Sequence, residues 1–590
     1  MGDPVHTGRS PLARHIVLSF ALFLCASLLT GAGAVSKQRT APSRMGQVVD
    51  WSSRHILYPQ GASLRALAMS QRDPRAYWNY LRITQAMKAA RTGADDTAGL
   101  GAEDGMQTEA GRRPVDPMPN RFLKGPKKQL PTEEDWAVPL GTAGTATNMF
   151  PAKFSFNVDA APSCASDFVV FAINIAPSAT QANIAAYNNL YSGTIGGVMG
   201  ICGGGTATAT WAYQVSTVAV PTSPLISLDG TKVAFVDGAN PAVFHVLTPT
   251  AGEGTPAAPA TPTGAEIVNL PLTSGTDTNS SPFMDYYADT AYVGTDTGLI
   301  YQITGVFKGT PTLSGAPWPL TAGSGMLTGP VYDFNTGNII VGSSDGNIYG
   351  FTPAGASLTG SPLLVGDGTA FGGFTDPPVL DEVNLYLYAA TGGNSGGTGA
   401  ELVQTGTGSF STVQTAIIGT ADAANIHSGA FNDAYFTAPT DMTGTPSEWF
   451  YYVCGNTTDG VGTPVLYRVG FNGSHVMNGM VDGTQVSLSG NPNEECSPLT
   501  EFKNGVDRLF LGLTQLSVVE AFNISTGTAP FTSGGPVTEP GGTSGIVVDN
   551  VSSANQASSI YFSTLSTSPR CRVGGVNRFC AVKLTQGALR

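Results

Sequence analysis

Short runs of apolar, β-branched residues recur along most of the chain, each bounded by Gly, Asp, Asn or Ser. The run Leu327 to Phe351 shows the unit most plainly. Gly329-Pro330 opens one strand that ends at Asp333, Asn338 to Gly342 form a second, Ser343-Ser344-Asp345-Gly346 make a turn, and Asn347 to Phe351 form a third. Alternating apolar residues between Gly and Asp turns predict hairpin-connected strands. The middle strand is the easiest to follow. It returns at Phe168 to Ile173, Lys232 to Val236, Ala291 to Gly294, Ile339 to Gly342, Leu385 to Ala389, Trp449 to Val453, Arg508 to Gly512 and Ser559 to Ser563. A small residue with Pro precedes most of them, as in Ser223-Pro224, Ser281-Pro282, Gly329-Pro330, Pro377-Pro378 and Ser497-Pro498.

The markers lie about 46 to about 64 residues apart, the spacing of four-stranded repeat units. Such units expose sheet faces and must stack, and antiparallel sheets arranged in a ring leave only short edges. The expectation is an all-β protein, a β-propeller with eight blades, or seven if the first or last repeat is incomplete. Fourth strands fit at Glu266 to Leu270 and Gln485 to Leu488. The last repeat lacks room for its own fourth strand, and Lys153 to Val158 is expected to supply it and close the ring.

Ala291-Tyr292-Val293-Gly294-Thr295-Asp296-Thr297-Gly298-Leu299-Ile300-Tyr301 resembles the repeat of quinoprotein-type (PQQ-like) and YVTN-type propellers, and Ile339 to Tyr349 is similar. Asp229-Gly230-Thr231-Lys232-Val233-Ala234-Phe235, after Ser223-Pro224, is similar to the opening of bacterial surface propeller repeats. The resemblance covers about 440 residues loosely and two blades well, and implies the fold. In its quinoprotein branch it would also imply PQQ with Ca²⁺. The chain departs there, since the propeller holds only Trp211, Trp318 and Trp449 and no adjacent cysteines. No cofactor is therefore expected.

Arg9, Arg14 and His15 precede an apolar run from Ile16 to Leu29 and small residues at Ala32 and Ala34, the pattern of a secretory signal peptide cleaved after Ala34. The expected division is 1–34 signal peptide, 35–140 basic helical segment and linker, and 141–590 propeller. Ser36 to Arg91 carries ten Lys/Arg against two Asp, a net of +8, whereas Gly141 to the end carries eleven against thirty acids, a net of −19. Asp73-Pro74 is a helix start, and Arg75 to Arg91 reads as a basic helix that docks on its own acidic propeller or on an anionic surface. Thr92 to Pro131 reads as linker. The overall charge of −13 disfavours nucleic acid.

No catalytic constellation and no metal site is evident. His55, His245, His427 and His475 lie outside HExxH or zinc spacings, and there is no GxSxG. One acid follows each opening strand: Asp167, Asp229, Asp285, Asp333, Asp381, Asp433, Glu501 and Asp549. These read as turn-capping residues, with a cation at the axis as the rival reading. The Gly-rich loops Thr391 to Ala400 and Gly455 to Pro464 are candidates for a ligand face, with Asn394, Asn456 and Asp459 as their polar residues. Six cysteines follow the signal segment. Local pairing gives Cys164–Cys202, Cys454–Cys496 and Cys571–Cys580; the alternative across the seam gives Cys164–Cys571 and Cys202–Cys580. The functional expectation is a monomeric, secreted, extracellular or periplasmic module that binds a protein or glycan and meets membrane only through its signal or basic segment. A quinoprotein-like oxidoreductase or a carbohydrate-active enzyme on the same propeller is the alternative.

Overall fold

The computed structural model describes residues 46–58, 73, 76, 132–156, 162–437, 448–481, 485–504, 506–525, 537–539, 542–550, 556–565, 571–573 and 576–586. The signal segment and nearly all of the basic helix and linker fall outside this set. Asp73 and Ala76, the two described residues of the expected helix, are buried. The described helical turns are only four residues long, at Ser52–His55 and Ala434–Thr437, and no helix among the described residues is long and apolar enough to cross a membrane.

Eight antiparallel sheets carry the chain in sequence order, so the propeller has eight blades. The fourth blade is typical: Val331–Tyr332, Ile339–Gly342, Asn347–Phe351 and Leu363–Leu364 pair in that order. Every middle-strand marker falls in the second strand of a blade, from Phe168–Ala172 to Ser558–Ser563. These strands are buried on both faces because each blade is sandwiched between two others, as in Val233–Val236 and Ile339–Gly342, where all four residues are buried. First strands of adjacent blades meet around the axis: Ala152–Ser155 touches Leu225–Ile226 and Val547–Asn550.

The residues before each first strand explain the Ser/Thr-Pro phrase. The hydroxyls of Thr222, Ser280, Thr328, Ser497 and Ser544 accept hydrogen bonds from the backbone N–H of Val236, Gly294, Gly342, Gly512 and Ser563 at 2.8–3.1 Å. A small hydroxyl there ties the start of the first strand to the end of the second and satisfies a buried donor. The acids that follow the opening strands mostly serve turns, as read from sequence. Asp285 accepts from Tyr287 N, Asp333 from Asn335 N, and Asp381 from Val383 N, at 2.8–2.9 Å.

Ring closure differs from the expectation. Ala152–Ser155 is the first strand of blade 1, not the last of blade 8. The outer strand of blade 8 is β3, Thr132–Gly141, paired antiparallel with Val576–Gln586. The propeller thus begins before residue 141 and takes its closing strand from the end of the segment expected to precede it, 35–140. The seam is locked by buried ion pairs. Lys153 Nζ lies 2.7 Å from Asp549 Oδ2, and Lys583 Nζ lies 2.7 Å from Asp135 Oδ2, all at 0–1% side-chain exposure. Tyr191 joins them, donating to Asp167 Oδ2 at 2.5 Å. Burial pushes the Lys583 ammonium down to about 8 even though Asp135 opposes the shift. Cys164–Cys202 and Cys454–Cys496 are disulfides. Cys580 is disulfide-bonded as well, and Cys571 lies on the neighbouring strand of its hairpin, opposite Arg578.

Part of the expected basic segment, 35–140, lies inside the ring. Strand β1, Gln47–Val49, adds antiparallel to the first strand of blade 1, with Val48 opposite Phe154. Strand β2, Ile56–Leu57, adds in parallel to the first strand of blade 5, with Ile56 opposite Leu380. Blades 1 and 5 are four apart in a ring of eight, so residues 47–57 cross the axis.

Candidate functional site: an axial funnel closed by the chain's own N-terminal segment

The crossing segment is held by several blades. Gly46 N donates to Leu228 O at 2.8 Å, Trp51 Nε1 to Pro282 O at 2.8 Å, and Arg54 Nη1 to Glu501 O at 2.6 Å. Asp50 Oδ1 accepts from Ser52 N at 3.0 Å, which turns the chain into the Ser52–His55 helix. Trp51 and Ile56 are 1% and 2% exposed. A Cβ on Gly329 would stand 3.0 Å from Trp51 Cη2, so the absence of a side chain there makes room for the indole.

On one side of this plug the axis opens into a funnel of ≈ 300 Å³. Its wall comes from loops that lead into first strands or follow second strands. Asn148, Asn174, Asn279, Thr375, Asn425 and Glu495 supply most of its polar groups. Asn148 Nδ2 donates to Thr375 O at 3.4 Å, from blade 1 to blade 5, and Thr375 Oγ1 donates to Asn425 Oδ1 at 3.3 Å. Below lies a chamber of ≈ 10 Å³ between Trp51, His55, Phe150, Ser223 and Ser281. Asn148 and Asn279 line both spaces.

Glu495 is the ionisable side chain of the funnel wall. It lies 2.7 Å from His427 Nε2, whose Nδ1 lies 3.0 Å from Asp376 Oδ1. Burial alone would lower His427, but Asp376 and Glu495 outweigh it and raise it to about 10. The ring is therefore an imidazolium that neutralises charge in the wall. Asp376 is held below the usual carboxylate range, since His427 and the Ser428 N–H outweigh its burial.

The three loop residues expected at a ligand face, Asn394, Asn456 and Asp459, each hold a local hydrogen bond. Asn394 Oδ1 accepts from Thr398 N at 2.8 Å within its own turn, and Asp459 Oδ1 accepts from Val461 N at 2.9 Å. Asn456 is 1% exposed, and its Oδ1 accepts from Thr420 N at 2.8 Å. None of the three lines the funnel or its chamber. Sequence reading passed over the funnel residues, although a signal exists. Asn279, Thr375 and Glu495 each stand two or three positions before the Pro of an opening phrase. Among the described residues, no group of three His, Cys, Asp or Glu could hold a metal ion.

Fold and site together define an eight-bladed β-propeller whose axis is stoppered by its own N-terminal segment and open as a polar funnel on one face. No protein-family model matches the chain, and no curated protein matches it. Solved structures similar in shape include BamB from Moraxella catarrhalis, at 15% identity over 70% of this chain and 92% of that one, with a TM-score of 0.36. Saccharomyces cerevisiae Sqt1 is 11% identical over 77% of this chain and 99% of its own, TM-score 0.44. Chaetomium thermophilum Sqt1, bound to the N-terminus of the ribosomal protein L10, is 11% identical over 78% and 100%, TM-score 0.44. Identities and scores this low carry no function across.

Proposed function

We propose that the protein is a secreted or cell-surface binding module, of the PQQ-like/YVTN-like repeat kind, that takes a protein or glycan group into its axial funnel. The observation that carries this reading is the funnel itself. Four carboxamides and several hydroxyls converge on a concave space that shares Asn148 and Asn279 with the chamber lined by Trp51, which is how specific sites orient polar ligands. His427 supports binding over catalysis, because an imidazolium held between two carboxylates is a poor base at neutral pH. PQQ does not fit these residues: a tricarboxylate calls for cationic partners, and the ionisable group of the funnel wall is an acid. Disulfides at Cys164–Cys202 and Cys454–Cys496 support an oxidising compartment. The test is to probe the immobilised full-length protein with an array of neutral oligosaccharides and a displayed random-peptide library. The same probes are then applied to the Asn279→Trp/Asn425→Trp protein, whose funnel is blocked. Binders lost on blocking support the reading; binders that all survive the block, or no binders at all, overturn it.

A further inference from the structure

The chamber below the funnel holds a polar atom that the protein leaves unsatisfied. His55 is 1% exposed, and its ring stands edge-on to Trp51 and Phe150, with centroids 5.2 and 6.1 Å away. Its Nδ1 lies 3.0 Å from the Trp51 carbonyl oxygen. A carbonyl only accepts, so Nδ1 carries the proton and Nε2 keeps the lone pair. Nε2 is buried and has no hydrogen-bond partner among the described residues. A bare buried acceptor is costly because it has given up its bonds to water, so its presence calls for a donor from elsewhere.

Ser223 completes the chemistry of the chamber. Its Oγ accepts from Phe150 N at 2.9 Å and from Ser281 Oγ at 3.0 Å. With both lone pairs used, its own O–H is left to donate. In a space of ≈ 10 Å³, about enough for a single oxygen, the chamber sets an acceptor, His55 Nε2, and a donor, Ser223 O–H, beside the carboxamides of Asn148 and Asn279, which can turn either way. An ammonium or amide N–H would leave Ser223 without an acceptor, and a carboxylate would leave His55 without a donor. An alcohol oxygen satisfies both. The funnel above suits the rest of such a molecule. Carboxamides donate and accept in equal measure, and the one acid, Glu495, is already paired with an imidazolium, so nothing in the wall selects a charged ligand.

We propose that the funnel binds the neutral sugar ring of a glycan, with one ring hydroxyl seated between His55 Nε2 and Ser223 Oγ. This rests on the funnel being the binding site and adds the ligand class and the two residues that read it. The experiment uses the full-length protein with ¹³C-labelled histidine, the His55 Cε1–H signal being assigned by its absence in His55→Phe. Methyl glycosides of glucose, galactose, mannose and N-acetylglucosamine are titrated in, followed by the monodeoxy series of whichever binds. The expected result is saturable movement of the His55 signal and one deoxy position that weakens binding about tenfold or more. The deoxy series needs no variant, so it stands even if His55→Phe misfolds. Glycosides that bind without moving the His55 signal, or with no sensitive hydroxyl, overturn the seating of the hydroxyl and leave the funnel reading intact. Loss of that binding in Asn279→Trp/Asn425→Trp shows which site is involved. Failure of every glycoside to bind means the chamber holds only a resident water and overturns the glycan assignment; peptides from the library that need an open funnel would then make the ligand a protein.

Discussion

Trp51→Ala tests whether the crossing segment is part of the folded core or a loosely held tail. The indole is 1% exposed, packs against Phe283 with ring centroids 6.0 Å apart, and donates to Pro282 O at 2.8 Å. Truncating a buried Trp to Ala costs about 3–5 kcal/mol, and the lost hydrogen bond adds about 1 kcal/mol. The unfolding entropy of the Gly46–Arg590 unit is roughly 1.1 kcal/mol/K at about 2.1 cal/mol/K per residue. A loss of about 4–6 kcal/mol therefore lowers Tm by roughly 3.5–5 °C if the segment stays docked. If it leaves the axis instead, the shift is smaller and the backbone becomes accessible. Trypsin reads that second outcome at Arg54, whose guanidinium is tied to Glu501 O in the intact protein. The assay is a melt paired with timed trypsin digestion and mass analysis. The variant should show either the full drop in Tm or rapid cleavage after Arg54, and the parent neither. If the parent is cut after Arg54 as fast as the variant, with equal melting temperatures, the segment does not occupy the axis and the funnel has no floor.

Three other measurements bear on the same architecture. His427 has a raised pKa, so its stabilising contribution is full below the unfolded value near 6.5 and disappears as pH rises through about 10. The urea-midpoint difference between parent and His427→Asn should be widest near pH 6.5 and close above pH 10, and a pH-independent difference would contradict the imidazolium. Lys583→Met removes the cation paired with the buried Asp135 and should cost about 3–5 kcal/mol, while Lys583→Met/Asp135→Leu should recover most of it. A double-mutant cycle by denaturant unfolding measures the coupling, and additive losses would mean the pair does not hold the seam. Cys454→Ser/Cys496→Ser should destabilise by about 2–4 kcal/mol in denaturant melts, and the part of the parent's stability that reductant removes through this bridge should be absent in the variant.

How much of this was legible follows from where each element's burial originates. The second strands read clearly because both faces are covered. Phe450–Asn456 is buried at every position, and such strands give unbroken apolar runs between turn residues. Leu225–Ile226 and Val331–Tyr332 have two residues each, too few for any period, and only the Ser/Thr-Pro phrase before them betrays their start. Thr132–Gly141 straddles the expected domain boundary at 140/141, and TEEDWAVPLG, with three acids, a Pro and a Gly, gives no strand pattern that would have moved it. It is nonetheless a strand, and Pro139 is tolerated because β3 is an edge, where a missing N–H breaks no outer ladder. Residues 46–58 fell within the expected basic segment on charge alone, Arg54 among its cations. Their burial is a property of the ring, which no local pattern encodes. The funnel was hidden for the same reason: Asn148, Asn279, Thr375 and Asn425 are ordinary loop residues until eight repeats bring their loops to one axis.

The plug also explains why an eight-bladed ring has a site of this size. Eight first strands cannot close on one another tightly enough to fill the axis with their own side chains, and an open channel would leave their edges unpaired. The chain meets this by laying β1 along one inner edge and β2 along the opposite one, with Trp51 and the Ser52–His55 turn between them. The through-channel becomes a blind funnel, and the floor acquires side chains that the blades lack. His55 is the consequence of most interest. A histidine brought in on the plug, with Nδ1 fixed by its own helix at Trp51 O, points a bare nitrogen at a position defined by blade residues Phe150, Ser223 and Ser281. The site is therefore shared between the ring and the segment threaded through it. Dislodging the plug, as Trp51→Ala would if the segment leaves the axis, should abolish glycoside binding even with every blade intact, whereas a site built from the blades alone would keep its affinity.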